Sequence, residues 1–407
     1  MDFIVIFVLL SFLICCTVVY LSFCVWRLCR IPPETQTFTR RDAIRSLLDP
    51  HGINIKVLLR QRALPNKRLA RAFGINSTFT SESIDVHHQF RKHTMTRLRN
   101  LDTPENWQTI RAAIKEAVDV YLPSDPIWGD YATYMQAVVF VTVLAAFFDN
   151  TLSFPERTEV RFVTEGINQL WTASKSSTCR PTSSILAQIN RYLHTWLPDN
   201  PADPFHETPL ELILPAYETL WRLVAHTFTY VEGTPGYIRL FLDFFNTPTA
   251  TQFAAPGLSR TPSAQDILQE VLRLHPPTKR IKRSQNDFSS IPAWIRRGIF
   301  GMAGFDCYPA CSNILAADIE ALQRSSVWGP SPHEFDAMRH RAPTEAQRLC
   351  FIPFGLGPLK CVASSLAPRL AGMIVAGVAI RDDIELTRGK SQGSREGWGE
   401  WRICRKG

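Results

Sequence analysis

The chain contains no Cys-x-x-Cys pair with partner histidines, so its cysteines do not outline a zinc site. It also lacks internal repeats and extended low-complexity tracts, which excludes repeat architectures. No dinucleotide-binding fingerprint occurs, so no flavin or nicotinamide site is expected in the chain itself. Nucleic-acid reader motifs are missing too, and the basic residues are spread out. A formal charge of +8 over 407 residues therefore falls short of a nucleic-acid-binding signature. It is compatible with an anionic membrane face or an acidic protein partner. The ten cysteines form no disulfide framework for a cytosolic domain. Cys307 and Cys311 lack residues nearby to complete a metal site and read as buried small apolar residues.

What the chain does have is an apolar opening. Phe3 to Trp26 is 24 residues long and carries no charge. As a helix it would reach roughly 36 Å at about 1.5 Å per residue, enough to cross a bilayer core. Asp2 precedes it and no small-residue cleavage site follows, unlike a secretory signal. Arg27 and Arg30 flank its far end, so the remainder is expected in the cytosol. The expected layout is a single-pass transmembrane anchor over residues 1–29 and one cytosolic body over 30–407. Asn76-Ser77-Thr78 is a formal glycosylation triplet on the wrong side of the membrane for use.

Ile31-Pro32-Pro33 makes a stiff exit, and from about residue 40 the apolar spacing is helical. It predicts helices near 40–48, 65–73, 84–99, 105–121, 129–148, 157–173, 183–196, 208–230, 236–245, 263–275 and 362–380. Short strands are predicted at 278–282, 297–302 and 401–405. The fold class is mainly α with small β-sheets, an α+β arrangement.

Three stretches carry the chemistry. In FIPFGLGPLKCVASSL, Cys361 follows a glycine-proline turn and precedes an apolar, helix-like run. A helix N-terminus favours the thiolate, Gly355 and Gly357 permit close approach of a flat group, and Phe354 offers an aromatic face. Those are the demands of a heme-iron thiolate; a buried cysteine beginning a core helix satisfies the same pattern. In QEVLRLHPPTKRIKR, Glu270 and Arg273 share a helix face, which a surface ion pair would equally explain. VWGPSPHEFDAMRH places Phe335 and Arg339 shortly before the cysteine.

The ordered set Glu270-x-x-Arg273, Phe335-x-x-x-Arg339 and Phe354-x-x-Gly357-x-x-x-Cys361 resembles the cytochromes P450, the heme-thiolate monooxygenases. The resemblance runs from about His87 to Ala371 and is to membrane-anchored eukaryotic members of fungal type. It implies the P450 fold, with the cofactor heme (iron protoporphyrin IX), O2 as co-substrate and Cys361 as axial metal ligand. Phe354 and Gly357 would lie at the cofactor, and Glu270, Arg273 and Arg339 would form a structural triad. In LILPAYETLWRL, Glu218 and Thr219 would relay protons, with Pro215 loosening the helix beside them. His87 and Arg91 share a helix face and fit the family's propionate-binding spacing, and Arg280 is a candidate for the second propionate.

The resemblance also implies a lipophilic small-molecule substrate, a membrane-bound NADPH-dependent flavoprotein reductase and a place at the endoplasmic reticulum, in secondary metabolism. Two other readings stay open: a P450-like isomerase or dehydratase, and a heme-free membrane scaffold. Leu359 stands where the family has a propionate-binding arginine or histidine, and Ala363 where it has glycine. Pro368 would kink the helix expected after the cysteine. The stretch before His87 is short for the family, as a compact variant or an incomplete sequence would make it.

Overall fold

The computed structural model describes Thr17, Tyr20 and residues 35–123, 129–148, 155–175, 183–257, 261–285, 313–390, 392–393 and 395–406. The expected anchor lies outside these residues apart from Thr17 and Tyr20, as do the expected strand at 297–302 and the pair Cys307 and Cys311. Among the described residues no helix is long and apolar enough to cross a membrane.

Strand β1 (Thr35–Phe38) opens the body, followed by α1 (Arg41–Leu48), α2 (Ile55–Phe73), α3 (Ile84–Leu101) and α4 (Pro104–Tyr121). Next come β2 (Gly129–Asp130), α5 (Tyr131–Phe147), α6 (Arg157–Ala173), α7 (Ser183–Trp196), α8 (Leu210–Val231) and α9 (Pro235–Asn246). The short α10 (Ala250–Ala254) and α11 (Ala264–Leu274) lead to β3 (Arg280–Ser284), β4 (Ile314–Asp318) and α12 (Ile319–Gln323). The last elements are α13 (Glu345–Cys350), α14 (Ala367–Ala379), β5 (Ile384–Thr387) and β6 (Arg402–Arg405).

Helix ends follow local chemistry. Ser83, Thr103 and Asp130 cap α3, α4 and α5 through their side chains. Ser263 and Asp266 form a reciprocal capping box on α11. Gly74, in the left-handed region, ends α2. Helix α5 is apolar on nearly every side and is buried accordingly. It packs with α4 and α8, while α8 also meets α11 and α14. Tyr131 donates its hydroxyl to the Ala225 carbonyl at 2.7 Å, tying α5 to α8.

One sheet has the order β1-β4-β3, with β1 parallel and β3 antiparallel to β4. The other is antiparallel, β2-β6-β5. A small apolar core of Ile44, Leu48, Leu322, Trp328 and Ile352 lies against the first sheet. It is separate from the large helical core and sits beside the loop that carries Cys361.

One expectation changes. Helix α14 starts at Ala367, after turns over 362–366, so Pro368 occupies its first turn, where proline is tolerated, and does not kink it. Helix α8 runs unbroken through Pro215.

Candidate heme-thiolate site

The cysteine loop is built on two left-handed glycines, Gly355 with φ 74° and Gly357 with φ 66°. A Cβ at Gly357 would stand 2.5 Å from Oδ1 of Asp49, so both the turn and the close packing require glycine there. The Cys361 amide donates to the Phe354 carbonyl at 3.0 Å, and the Lys360 amide to Gly357 at 3.1 Å. Ile352 starts the loop by donating its amide to the Gln323 side chain at 3.1 Å. Beyond it, Arg369 on α14 makes a two-pronged ion pair with Asp102 at the end of α3, both contacts 2.6 Å. Arg91 on α3 donates to the Pro358 carbonyl at 3.1 Å. Helix and loop are thus pinned on both sides of the cysteine.

Cys361 itself is exposed. Its thiol nevertheless sits above the usual range, chiefly because surrounding atoms desolvate it; the Ala363 amide bonded to it and the Lys360 charge pull the other way. The residue as a whole is exposed while its sulfur is desolvated. The expected helix-dipole effect is small, since α14 begins six positions later (367 against 361). The amide donor from Ala363 takes its place.

Glu270, Arg273 and Arg339 converge in the interior rather than on the surface. Arg273 clamps both Glu270 oxygens at 2.7 Å, with both side chains fully buried. It also donates to the carbonyls of Gln323, Pro332 and Glu334 at 2.9, 2.6 and 3.1 Å, and lies over the Trp328 ring. Arg339 approaches Glu270 at 3.5 Å and donates to carbonyls of Trp328 and Ser331. A fourth member was missed from the sequence: His340, whose Nε2 is 3.0 Å from Glu270. Its only signal was its place next to Arg339. Burial pushes the Glu270 carboxyl up, and the hydrogen bonds from Arg273 and His340 more than reverse this, leaving it at about 2. Phe335 stacks on Tyr230 of α8 with ring centroids 4.2 Å apart.

His87 and Arg91 do share a face of α3. His87 is held at 2.7 Å by the Thr78 hydroxyl, whose oxygen also accepts from Arg62 on α2 at 2.6 Å. Burial, aided by Arg62 and Arg91, pushes His87 down to about 4. Arg280 is turned elsewhere: it pairs with Asp318 at 3.0 Å and its side chain is largely exposed. Side chains alternate along a strand, so Arg283 falls on the opposite face, with Ile281. Ile281 lies beside Gly355 of the cysteine loop, and Arg283 is buried.

On α8 the Glu218 carboxylate is buried in an ion pair with Arg395, which also donates to Asn168 at 3.0 Å and lies over the Trp171 ring. Thr219 donates its hydroxyl to the Pro215 carbonyl at 3.3 Å. The two neighbours are therefore engaged separately. Arg395 went unnoticed in the sequence because it lies 177 positions from Glu218.

No family model matches the chain. Solved structures do. A mutant of the P450DA heme domain superimposes with a TM-score of 0.60 at 14% identity, covering 91% of this chain and 87% of that one. The fold is that of the cytochromes P450. A six-coordinated cytochrome P450 from Thermus thermophilus matches with a TM-score of 0.61 at 16% identity, over 91% and 92% of the two chains. Among curated proteins, a sterol 14alpha-demethylase of Mycolicibacterium vanbaalenii is 32% identical over 115 residues, 27% of this chain. Cytochrome P450 734A4 of Oryza sativa subsp. japonica is 32% identical over 125 residues, 30% of this chain. In each case the match spans 22% of the curated relative's own length.

Proposed function

We propose that the chain is a heme-thiolate monooxygenase that inserts one oxygen atom of O2 into a lipophilic organic substrate. The observation that carries this is Cys361, an exposed residue whose sulfur accepts the Ala363 amide, in a glycine loop tied to α3 by Arg91, within a P450 fold. The residues fit the cofactor: a cysteine sulfur that would hold the iron, an amide to temper its charge, and glycines that would leave room for a flat ring. Phe354, packed against the main core, would border that ring. When bound, heme supplies the oxygen activation.

The chain's own residues do the rest. Cys361 would hold the heme iron through its sulfur, and as a thiolate would lend it electron density. Glu270, Arg273, Arg339 and His340 hold the segment before the loop in place from the far side. The Thr219 hydroxyl, which donates to the Pro215 carbonyl at 3.3 Å, is the residue assigned to proton transfer in this reading. Two electrons come from a membrane-bound NADPH-dependent flavoprotein reductase. A membrane anchor in residues 1–29, a place at the endoplasmic reticulum, fungal origin and a role in secondary metabolism belong to the same proposal.

One observation favours a second reading. Glu218, the acid of the expected relay, is locked to Arg395 and not free to exchange protons with Thr219. A P450-like isomerase or dehydratase needs no such relay. The test is the absorption spectrum of the reduced, carbon-monoxide-bound protein. A red-shifted Soret band that Cys361→Ala abolishes supports the thiolate; its absence from folded, heme-supplied protein rejects both heme readings. Peroxide formation on supply of electrons then separates oxygenase from isomerase.

A further inference from the structure

The corner where α8, the end of α11 and the segment between β5 and β6 meet holds two histidines that the heme reading leaves unused. His226 of α8 and His275, which closes α11, stack with ring centroids 4.1 Å apart and planes 12° from parallel. His226 is only 4% exposed. Gln392 of the C-terminal segment hydrogen-bonds its ring, and among the described residues its Nδ1 atom has no partner. Gln392 also donates to the Thr229 hydroxyl at 2.9 Å, and the Trp398 ring lies 4.9 Å from the His226 ring. The His275 Nε2 is 2.9 Å from the Tyr230 hydroxyl, and Tyr230 in turn stacks on Phe335. The two imidazoles thus join stretches of chain that are far apart in sequence.

Among the described residues, the charges that act on this stack are all positive. Arg222 of α8 and Lys279 beyond α11 act on His226; Arg324 after α12, Lys279 and Arg273 of α11 act on His275. The carboxylates of the same elements are engaged with arginine and lysine: Glu270 with Arg273, Glu320 with Lys279 and Arg324, Glu218 with Arg395 and Glu232 with Arg388. The C-terminal segment contributes the uncharged Gln392 and Trp398, and α5 presents Tyr131 to Trp398. A proton taken up here loses its water and meets cations. Burial, and then those charges, hold His275 down to about 4 and His226 well below its ordinary value.

We propose that the His226–His275 stack is an acid-sensitive latch, closed while both rings are neutral and drawn open as protons become available. Opening exposes the rings to water, where imidazole ionises at its ordinary pH, so the open corner binds more protons than the closed one. The closed form is therefore favoured above about pH 6.5 and loses ground below it, well before Glu270 takes up its proton. The segment that lets go also carries Arg395 and Arg388, so its release loosens the hold on Glu218 and Glu232 of α8 and its end.

The test is amide hydrogen exchange of the full-length protein in detergent, corrected at each pH for the intrinsic rate. It compares peptides covering 388–401 with those covering α5. From about pH 7.5 to 5.5, protection of 388–401 is expected to fall roughly 10-fold if one histidine takes up a proton on opening and roughly 100-fold if both do, while α5 stays protected. His226→Phe and His275→Phe keep a ring in the stack and remove the titrating nitrogens. Each should take away one such 10-fold factor, and the double variant should show no pH dependence in this range. The wild-type profile can overturn the proposal without any variant: protection of 388–401 that ignores pH does so, and so does α5 losing protection in step with it. An undiminished fall in either single variant, or a fall that survives in the double variant, would equally contradict it.

Discussion

Two charged clusters in the molecule are built on opposite terms. Around Glu270 the polypeptide supplies both signs: one carboxylate faces Arg273, Arg339 and His340, and the Asp336 amide donates to it at 2.9 Å. Around Arg62 and Arg283 the described residues supply only cations, with His87, held down to about 4, beside Arg62 and Arg91. The first cluster is complete in the chain alone and serves the fold. Among the described residues the second has no paired carboxylate, although Arg62 and Arg283 are buried.

The comparison breaks most sharply at Glu270. Glu270→Gln leaves Arg273 buried without its anion, and a loss of about 3–5 kcal/mol is expected in denaturant unfolding. Arg62→Met is expected to leave heme-free stability unchanged or higher, the reverse response to removing a charge.

Acid separates the clusters next. The Glu270 carboxyl is at about 2 against an ordinary 4.5, so the unfolded chain takes up its proton first. Its contribution is full above about pH 4.5 and disappears as pH falls towards 2. His87 and His275 are each held down to about 4 from 6.5, chiefly by burial, and His226 well below 6.5. These groups likewise favour folding above about pH 6.5, and that support fades towards pH 4. Urea midpoints of heme-free protein between pH 8 and 3 should therefore fall in two overlapping stages. Arg62→Met should shrink the upper stage in part, since Arg62 is one of the charges that lower His87.

Thr219→Ala should do least. It removes one long hydroxyl bond to a helix carbonyl, worth under about 1 kcal/mol, and heme affinity should not change. The expected effect is electrons diverted to peroxide during turnover. Unaltered coupling removes Thr219 from the relay.

Most helices were legible in the sequence because their apolar residues recur at helical spacing; α7 was placed over 183–196, as observed. The first half of α2 was not, as Lys56, Arg60 and Arg62 obscure a face that packs on β3. Strands β1 and β4 escaped because four or five residues carry little periodicity, and their pairing joins positions 35 and 314. At the candidate site, Cys361, Glu270, Arg273 and Arg339 stood out through the resemblance of their motifs to those of the cytochromes P450, and the structure brings Glu270, Arg273 and Arg339 together. Arg62 and Arg395 could not, because folding alone brings them to their partners. Arg283 was missed through strand phase: a strand drawn over 278–282 stops one residue short of it, while the observed strand runs 280–284.

The account depends on the sulfur at position 361 meeting the iron. X-ray absorption at the iron edge of heme-reconstituted protein reads that bond directly. One sulfur neighbour in the wild type, lost in Cys361→Ala, is the predicted result. An iron ringed only by nitrogen and oxygen in folded, heme-loaded wild type would contradict it.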